Sequence, residues 1–319
     1  MSDLPVSLLE AVRYYSDIDV CEDKMAHMKW EGGLPVCPDC QSKSCGRIAS
    51  RRRWQCKECR TQFSVKVGTI FEDSPLGLDK WFVAVWSIAN AKNGISSHEL
   101  ARALAVTQKS AWFMLHRIRE AMKTGSFRKM SGYVESDETF IGGKADNMHK
   151  HIREKKIKGR GAVGKVAVQG ILERDAECSQ VRTFVVKDTE ADTLQRNIVR
   201  NVEREGTALY TDAAAAYSTL SSRYMHACVD HVREYVRGSV HTNSLENFWS
   251  LFKRAIKGTW THIAPYHVDR YADEQAWRFN NRKMGDGSRF ENLLRRVVGR
   301  RLTYRQLCCI DDSGFMGLR

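Results

Sequence analysis

The spacing of apolar residues changes once along the chain, near residues 123 to 131. Before this point, from about residue 78 to 122, large apolar residues recur three and four positions apart, as on the buried face of a helix. Ser96 followed by Glu99 is a capping signature that starts one of these helices. Beyond the change, apolar and polar residues alternate in strand-like fashion. The pattern predicts a domain boundary here, with a mixed α/β unit after it.

Strands and helices follow each other in the predicted C-terminal unit. Strands are expected at about 132–141, 164–174, 181–187, 207–212 and 227–236. Helices are expected at about 190–205 and 243–257. The second of these helices carries an apolar stripe opposite polar residues, so one of its sides should face a core.

Composition narrows the class of protein. A length of 319 residues with 42% hydrophobic content predicts about two domains and a sizeable core. Lys and Arg number 51 against 38 Asp and Glu, and the net charge of +13 favours a polyanionic partner, of which nucleic acid is the commonest. The chain has no apolar run of membrane-spanning length and no signal-peptide pattern at its start, so we expect a cytoplasmic protein with no membrane partner.

Four cysteines have the spacing of a zinc ribbon. Cys37 and Cys40 form one pair, Cys56 and Cys59 form another, and 15 residues separate the pairs. Thiolates are preferred ligands of tetrahedral Zn²⁺, and a segment this small has little core of its own, so the zinc should be structural. Cys45 is a spare thiol that can replace Cys40 or Cys56, although its Ser-rich turn makes this less favoured.

The N-terminal half also offers contacts to DNA. Glu99 to Leu104, a short turn, and a helix with Ala111 and Leu115 have the pattern of a helix-turn-helix, which three-helix bundles without DNA also share. Beside Trp54, whose indole can pack on the ribbon or stack on a base, lies a basic run. The residues of these two segments that we expect at DNA are Arg51, Arg52, Arg53, Lys109, Arg117 and Arg119.

A basic loop joins the first two strands of the C-terminal unit. It is flanked by glycines and should emerge beside Asp137, where it can follow a phosphate backbone or remain a solvated loop. The residues of this loop that we expect at DNA are Lys155, Lys156, Lys158 and Arg160.

Three carboxylates are candidates for a divalent metal site. Asp137 lies within the first predicted strand with Glu135 on the same face, Asp212 ends a later strand, and Glu246 starts the last helix with Lys253 two turns beyond it. Carboxylate oxygens are the ligands that Mg²⁺ prefers. Taken singly, each acidic residue also fits a structural role: an ion pair for Asp137, a helix N-cap for Asp212, a solvated face for Glu246.

Together these segments resemble the DDE transposases of bacterial insertion sequences, in particular the ISXO-like group. The likeness rests on Asp137 in YVESDETFIGG, Asp212 in LYTDAAAAY and Glu246 in VHTNSLENFWSLFKRAIKGT, and it spans nearly the whole chain. That group also has an N-terminal zinc ribbon, a helical segment resembling GISSHELARALAVTQKSAWFMLHRIREAM, and a tail resembling Arg278 to Arg282.

The resemblance implies an α/β fold in which a ribonuclease-H-like mixed sheet, flanked by helices, follows a zinc ribbon and a helix-turn-helix-like domain. The first Asp then lies on the central strand, the second on a later strand, and the Glu on a following helix. The expected domains are a helical lead-in at 1–30, the ribbon at 31–66, the helix-turn-helix-like domain at 67–125, the catalytic domain at 130–275 and a basic helical tail at 276–319.

The resemblance further implies a transposase that binds terminal inverted repeats, cuts DNA there and joins the 3′ hydroxyls to target DNA. Two Mg²⁺ or Mn²⁺ ions at Asp137, Asp212 and Glu246 would serve this chemistry. Lys253 would be a further catalytic residue, and Lys253 and Arg254 would contact the DNA. Pairing of two element ends implies a homodimer or larger assembly on double-stranded DNA. The alternatives are a structure-specific nuclease of the same fold and a catalytically inert DNA-binding regulator.

We expect Cys56→Ser to unfold the ribbon locally and to weaken recognition of the element ends, because the change removes one of four zinc ligands. Zinc content per chain, measured by atomic emission, should fall relative to the wild-type protein. A variant with unchanged zinc would contradict the assignment of Cys56.

Overall fold

A computed structural model describes residues 5–123, 128–143, 149–151, 164–175, 177–212, 215–229 and 240–308. The chain forms two compact units. One contains the residues up to Met122 together with the segment that starts at Met284, and the other is Lys123–Lys283. Within the described ranges, no helix has the length and apolar character needed to cross a membrane.

The helices and strands are numbered in chain order. The helices are α1 Leu8–Tyr15, α2 Ile18–Lys29, α3 Leu78–Asn90, α4 Ser97–Leu104, α5 Gln108–Met122, α6 Ala191–Asn201, α7 Asn243–Ala255, α8 Val268–Asn280, α9 Asp286–Arg295 and α10 Tyr304–Leu307. The strands are β1 Cys45–Ile48, β2 Arg53–Cys56, β3 Gln62–Phe63, β4 Tyr133–Ile141, β5 Val166–Arg174, β6 Gln180–Val186, β7 Ala208–Asp212 and β8 Met225–Val229.

The first unit joins a small antiparallel sheet, β1-β2-β3, to helices. The capping box expected from the sequence is present at the start of α4, where Ser96 and Glu99 satisfy each other's backbone N–H groups. Ala105 takes the left-handed conformation that ends α4 and lets α5 begin after a short turn. The helix-turn-helix arrangement of these two helices therefore follows from their caps.

The segment that starts at Met284 belongs to this first unit. Phe290 of α9 is fully buried and lies against the rings of Tyr15, Phe82 and Trp86. The sequence predicted a separate basic tail from residue 276. Burial of one large aromatic ring among others is a strong driving force, and it brings α9 back to the N-terminal helices.

The second unit is built on a mixed five-stranded sheet in the order β6-β5-β4-β7-β8. The central strand β4 pairs antiparallel with β5, which pairs antiparallel with β6, while β7 and β8 run parallel to β4. The fold is the mixed α/β class that the sequence predicted, with the first predicted strand at its centre. Part of the strand expected at 227–236 lies outside the described residues.

Each face of this sheet is covered by helices. Along β5, Val168 and Leu172 face the core formed with α7 and α8, while Ala167 and Ile171 face the core formed with α6 and the 3₁₀ segment Ala215–Ser222. Because successive side chains of a strand point to opposite faces, β5 contributes residues to both cores. The sheet is therefore buried on both sides, and polar residues in its middle strands need specific partners.

A buried glutamate anchors the start of α7 to the central strand. Glu135 is fully buried, and its carboxylate accepts the backbone N–H of Leu245 at 2.8 Å. The N-cap residue Thr242 makes no side-chain cap of its own, and the Leu245 N–H is shared between the Thr242 carbonyl at 3.0 Å and Glu135 of β4. Arg174 forms an ion pair with Glu135 and also bonds His241, so the buried charge is compensated.

We expect Arg174→Met to destabilise the second unit by about 3–5 kcal/mol, because it leaves the Glu135 carboxylate buried without its cation. Arg196→Met is the matched control, since the Arg196–Asp192 pair lies on an exposed helix surface and should contribute less than about 1 kcal/mol. Hydrogen exchange of peptides from β4 and β5 under native conditions measures both. Equal effects of the two substitutions would contradict this role of Arg174.

Candidate functional site

The strand register places two of the predicted carboxylates side by side. In the parallel pair β4·β7, Tyr133 lies opposite Ala208 and Glu135 lies opposite Tyr210, an offset of 75 residues. The pairing ends at Glu135 and Tyr210, and Asp137 and Asp212 each lie two residues further along their strands. The two carboxylates therefore follow the paired part of β4 and β7 at the same offset.

Helix α7 brings the third carboxylate to the same place. Glu246 lies in its first turn, and Trp249, Ser250 and Lys253 follow at helical spacing on the same side. These four residues line a cleft of about 730 Å³ together with Asp137. The rest of the lining is Glu138, Thr139, Arg254, Lys257 and Gly258. Asp212 is not among the lining residues and reaches the site through its position beside Asp137.

The carboxylates influence one another electrostatically. The pKa of Asp137 is raised to about 6, mainly by burial and further by the negative charges of Asp212 and Glu246. Hydrogen bonds from the Glu138 backbone N–H and from Trp249 act in the opposite direction. A buried carboxylate near two others favours either a proton or a cation. The site is thus a region of negative potential at one end of the cleft.

Two neighbours of Asp137 have different roles. Glu135 shares the face of Asp137, as expected, but its carboxylate is used to anchor α7. Glu138 belongs to the other face of β4, where it accepts a hydrogen bond from the hydroxyl of Tyr217, and it also lines the cleft. The pKa of Glu138 is raised to about 8 by burial and by the charges of Asp137 and Asp212. Of these two neighbours, Glu138 is therefore the one whose charge interacts with those of Asp137 and Asp212.

The donor set fits a hard divalent cation. Asp137, Asp212 and Glu246 offer only carboxylate oxygens, and their mutual repulsion is relieved when a cation binds. We compared this set with all groups of three or more His, Cys, Asp or Glu residues among the described residues. Only four cysteines have ligand atoms that all lie within 4.8 Å of one another. The three carboxylates are spread more widely, as like charges are unless a cation draws them together.

Two residues at the site were missed by the sequence interpretation. In the sequence, Trp249 belongs to the apolar stripe of its helix and shows no sign of a polar role. In the structure, its indole Nε1 donates to Asp137 Oδ2 at 3.1 Å. Gly170 lies in the middle of β5, directly opposite Asp137 in the register. A glycine inside a strand is a signal of close backbone approach, and this signal was available in the sequence.

The four predicted zinc ligands come together in the ribbon. The Sγ atoms of Cys37, Cys40, Cys56 and Cys59 lie within 4.8 Å of one another, with Cys37–Cys59 and Cys40–Cys56 at 3.5 Å. A Zn–S bond of about 2.3 Å implies sulfur atoms about 3.8 Å apart in a tetrahedron. The four cysteines therefore form a zinc-binding site. Cys45 is outside this cluster, and its thiol lies near the carbonyl of Ser42 instead.

The ribbon arginines differ in their availability. Arg51 and Arg53 are exposed, whereas Arg52 pairs with Asp19 and Glu22. Of the two interpretations of Trp54, the structure supports packing, because the indole is buried. Its ring lies against Trp30 and Phe63. Arg51 and Arg53 are thus the two cations of this run that are open to a partner.

The structure corrects the interpretation of helix α5. Arg117 and Arg119, expected to face DNA, are both buried. The Arg117 guanidinium donates to the backbone carbonyl of Glu72 and lies over the ring of Trp81. Its guanidinium is therefore engaged inside the first unit and does not face solvent. Only the first turn of α5, with Lys109, is exposed. The predicted Lys155, Lys156, Lys158 and Arg160 lie outside the described residues.

Comparisons with known proteins agree with these features. Residues 129–280 match the family described as the ISXO2-like transposase domain, and residues 17–62 match the transposase zinc-ribbon domain. A protein of Halobacterium salinarum, described as an uncharacterized protein in transposable element ISH50, is 27% identical over 240 residues, which is 72% of this chain and 80% of the relative.

Among solved structures, a simian T-cell lymphotropic virus intasome in complex with PP2A regulatory subunit B56 gamma is similar over 56% of this chain and 63% of that chain. The identity is 14% and the TM-score is 0.27, which is too low to indicate a shared fold.

Proposed function

The chain belongs to the ISXO2-like transposase family, and from this membership we propose that it cuts DNA at the ends of an insertion sequence and joins the freed 3′ hydroxyls to target DNA. The observation that supports the proposal is that Asp137 and Glu246 line the same cleft as three cations, while the charge of Asp212 acts on Asp137. Along the chain, Asp212 is 75 residues after Asp137, and Glu246 is 34 residues after Asp212.

We assign Asp137, Asp212 and Glu246 as the ligands of divalent metal, Mg²⁺ or Mn²⁺. When bound, two such ions supply the Lewis acidity that activates water and stabilises the leaving oxygen of a phosphodiester. The residues themselves contribute position. Asp137 is held in the central strand, and Glu246 is held by a helix whose start is anchored through Glu135.

The cations of α7 and of the segment Ile256–Trp260 that follows it would bind the DNA strand next to the metal site. Lys253 is seven residues beyond Glu246, which corresponds to about 10 Å along a helix at 1.5 Å per residue. Lys253, Arg254 and Lys257 are all exposed and line the basic end of the cleft. A phosphate backbone entering there would run from these cations towards the carboxylates.

We further propose that the N-terminal unit recognises the element ends. Arg51 and Arg53 of the ribbon and Lys109 at the start of α5 are its exposed candidates for contacts with phosphates or bases. Joining of two ends would need a homodimer or larger assembly on DNA, which we expect to form on the nucleoid.

Two alternatives are separated by the products of one reaction. Full-length protein with Mg²⁺, DNA carrying the element ends and a target plasmid should give joined products. Cuts without joining would favour a structure-specific nuclease of the same fold, and binding without cuts would favour an inert regulator. The complete set of acidic residues at the site favours the enzyme.

Asp212→Asn should reduce strand cutting to background while leaving binding to the element ends unchanged, because it removes one charged metal ligand from the second unit. Gel-based cleavage and fluorescence anisotropy measure the two properties. Asp192→Asn is the matched control, since this exposed aspartate of α6 lies in the same unit and should retain cutting. Normal cutting by the Asp212 variant would contradict the site.

Lys257→Ala should weaken DNA binding and change its salt dependence, because one phosphate contact contributes about 0.9 to the slope of log K against log salt for duplex DNA. Anisotropy titrations at several KCl concentrations should therefore give a slope less negative by about 0.9. Lys187→Ala, an exposed lysine of the same unit that does not line the cleft, should leave the slope unchanged. Identical slopes for the two variants would exclude Lys257 from the DNA path.

A further inference from the structure

A hydrogen bond links the helix that carries Glu246 to the strand that carries Asp137. The donor is the indole Nε1 of Trp249, and the acceptor is Asp137 Oδ2 at 3.1 Å. Trp249 is only 3% exposed, so water does not compete strongly for this bond. It lies three residues after Glu246 and four before Lys253, on the side of α7 that lines the cleft.

Gly170 makes room for this contact. It lies opposite Asp137 in the β4·β5 register. A Cβ atom at this position would lie 2.7 Å from Trp249 Cζ2 and 2.8 Å from Leu245 Cδ1, closer than real contacts allow. The ring of Trp249 therefore occupies the space that a side chain on β5 would fill. The absence of that side chain places the indole next to the Asp137 carboxylate.

We propose that Trp249 is a positioning residue that holds the Asp137 carboxylate in the orientation needed to bind divalent metal, and that Gly170 is the opening that permits it. This inference rests on the proposed function of the three carboxylates. A carboxylate has about four lone-pair sites, so one bond to the indole leaves oxygen capacity for a cation while fixing the rotamer. The same bond fixes the helix of Glu246 relative to the strand of Asp137.

A purely structural role for Trp249 would be to fill the core between α7 and the sheet. The unit offers a direct comparison, because Trp277 of α8 is fully buried and its indole N–H has no hydrogen-bond partner among the described residues. A tryptophan that only fills space in this unit does not need a carboxylate partner. The bond from Trp249 to Asp137 therefore points to a role beyond packing.

The test compares Trp249→Phe with Trp277→Phe in the full-length, zinc-loaded protein without DNA. Both substitutions shorten a buried ring, but only the first removes a bond to a proposed metal ligand. Free Mn²⁺, measured by electron paramagnetic resonance, reports affinity directly. Partners that orient metal ligands typically contribute 10- to 100-fold to affinity, so we expect Mn²⁺ to bind Trp249→Phe about 10-fold more weakly and Trp277→Phe as it binds wild type.

A second measurement covers the case in which Trp249→Phe fails to fold. In wild-type protein labelled with ¹⁵N, we expect one indole N–H resonance to shift as Mg²⁺ is added, and the response to vanish in Asp137→Asn. Gly170→Ala should also weaken Mn²⁺ binding, because the added methyl group displaces the ring.

Unchanged Mn²⁺ affinity in Trp249→Phe, equal losses of affinity in both tryptophan variants, or indole resonances that ignore Mg²⁺ would overturn the proposal. The Asp212→Asn variant separates this failure from failure of the proposed function. If Asp212→Asn binds Mn²⁺ as tightly as wild type, the metal site itself is misassigned. If it loses Mn²⁺ while Trp249→Phe does not, only the role of Trp249 is wrong.

Discussion

The close approach of α7 to the strands β4 and β5 is the constraint on which the site depends. Helices usually pack on a sheet through side chains of both partners, but at Gly170 the sheet contributes only backbone. Trp249 and Leu245 fill that space, and the Glu135 carboxylate accepts the N–H of Leu245. These contacts fix where α7 lies along the strand and how α7 is rotated about its own axis. The position of Glu246 follows from both.

Two acidic residues on the same face of β4 differ in the partners of their carboxylates, and these partners determine whether each carboxylate can still bind a cation. Glu135 is neutralised by Arg174 and bonded by a helix N–H, so its charge stabilises structure. For Asp137, two residues further on, the described residues provide no such cation, and burial together with the neighbouring carboxylates raises its pKa. The same strand therefore carries one carboxylate that is satisfied and one that retains affinity for a cation.

The first unit is stabilised in two different ways, in its ribbon and in its helices. Four cysteine sulfur atoms converge beside its small sheet, and zinc bound there would stabilise a segment whose own core is marginal. Its helices, in contrast, bury large aromatic residues and even two arginines. Burial of Arg117 and Arg119 leaves the first turn of α5 as the exposed part of that helix, which narrows the surface that can meet DNA.

The sequence by itself determined the main strands and helices and the identity of the four zinc ligands. Period-two alternation located β4 and β5, a capping box started α4, and the cysteine spacing identified the zinc ligands, because each of these signals depends on residues close together in the chain. Only the tertiary structure decided the pairing of β4 with β7, the use of Glu135 as a helix anchor, the burial of Arg117 and the bond from Trp249 to Asp137. Each of these depends on which distant residue becomes a neighbour, and local periodicity carries no information about that choice.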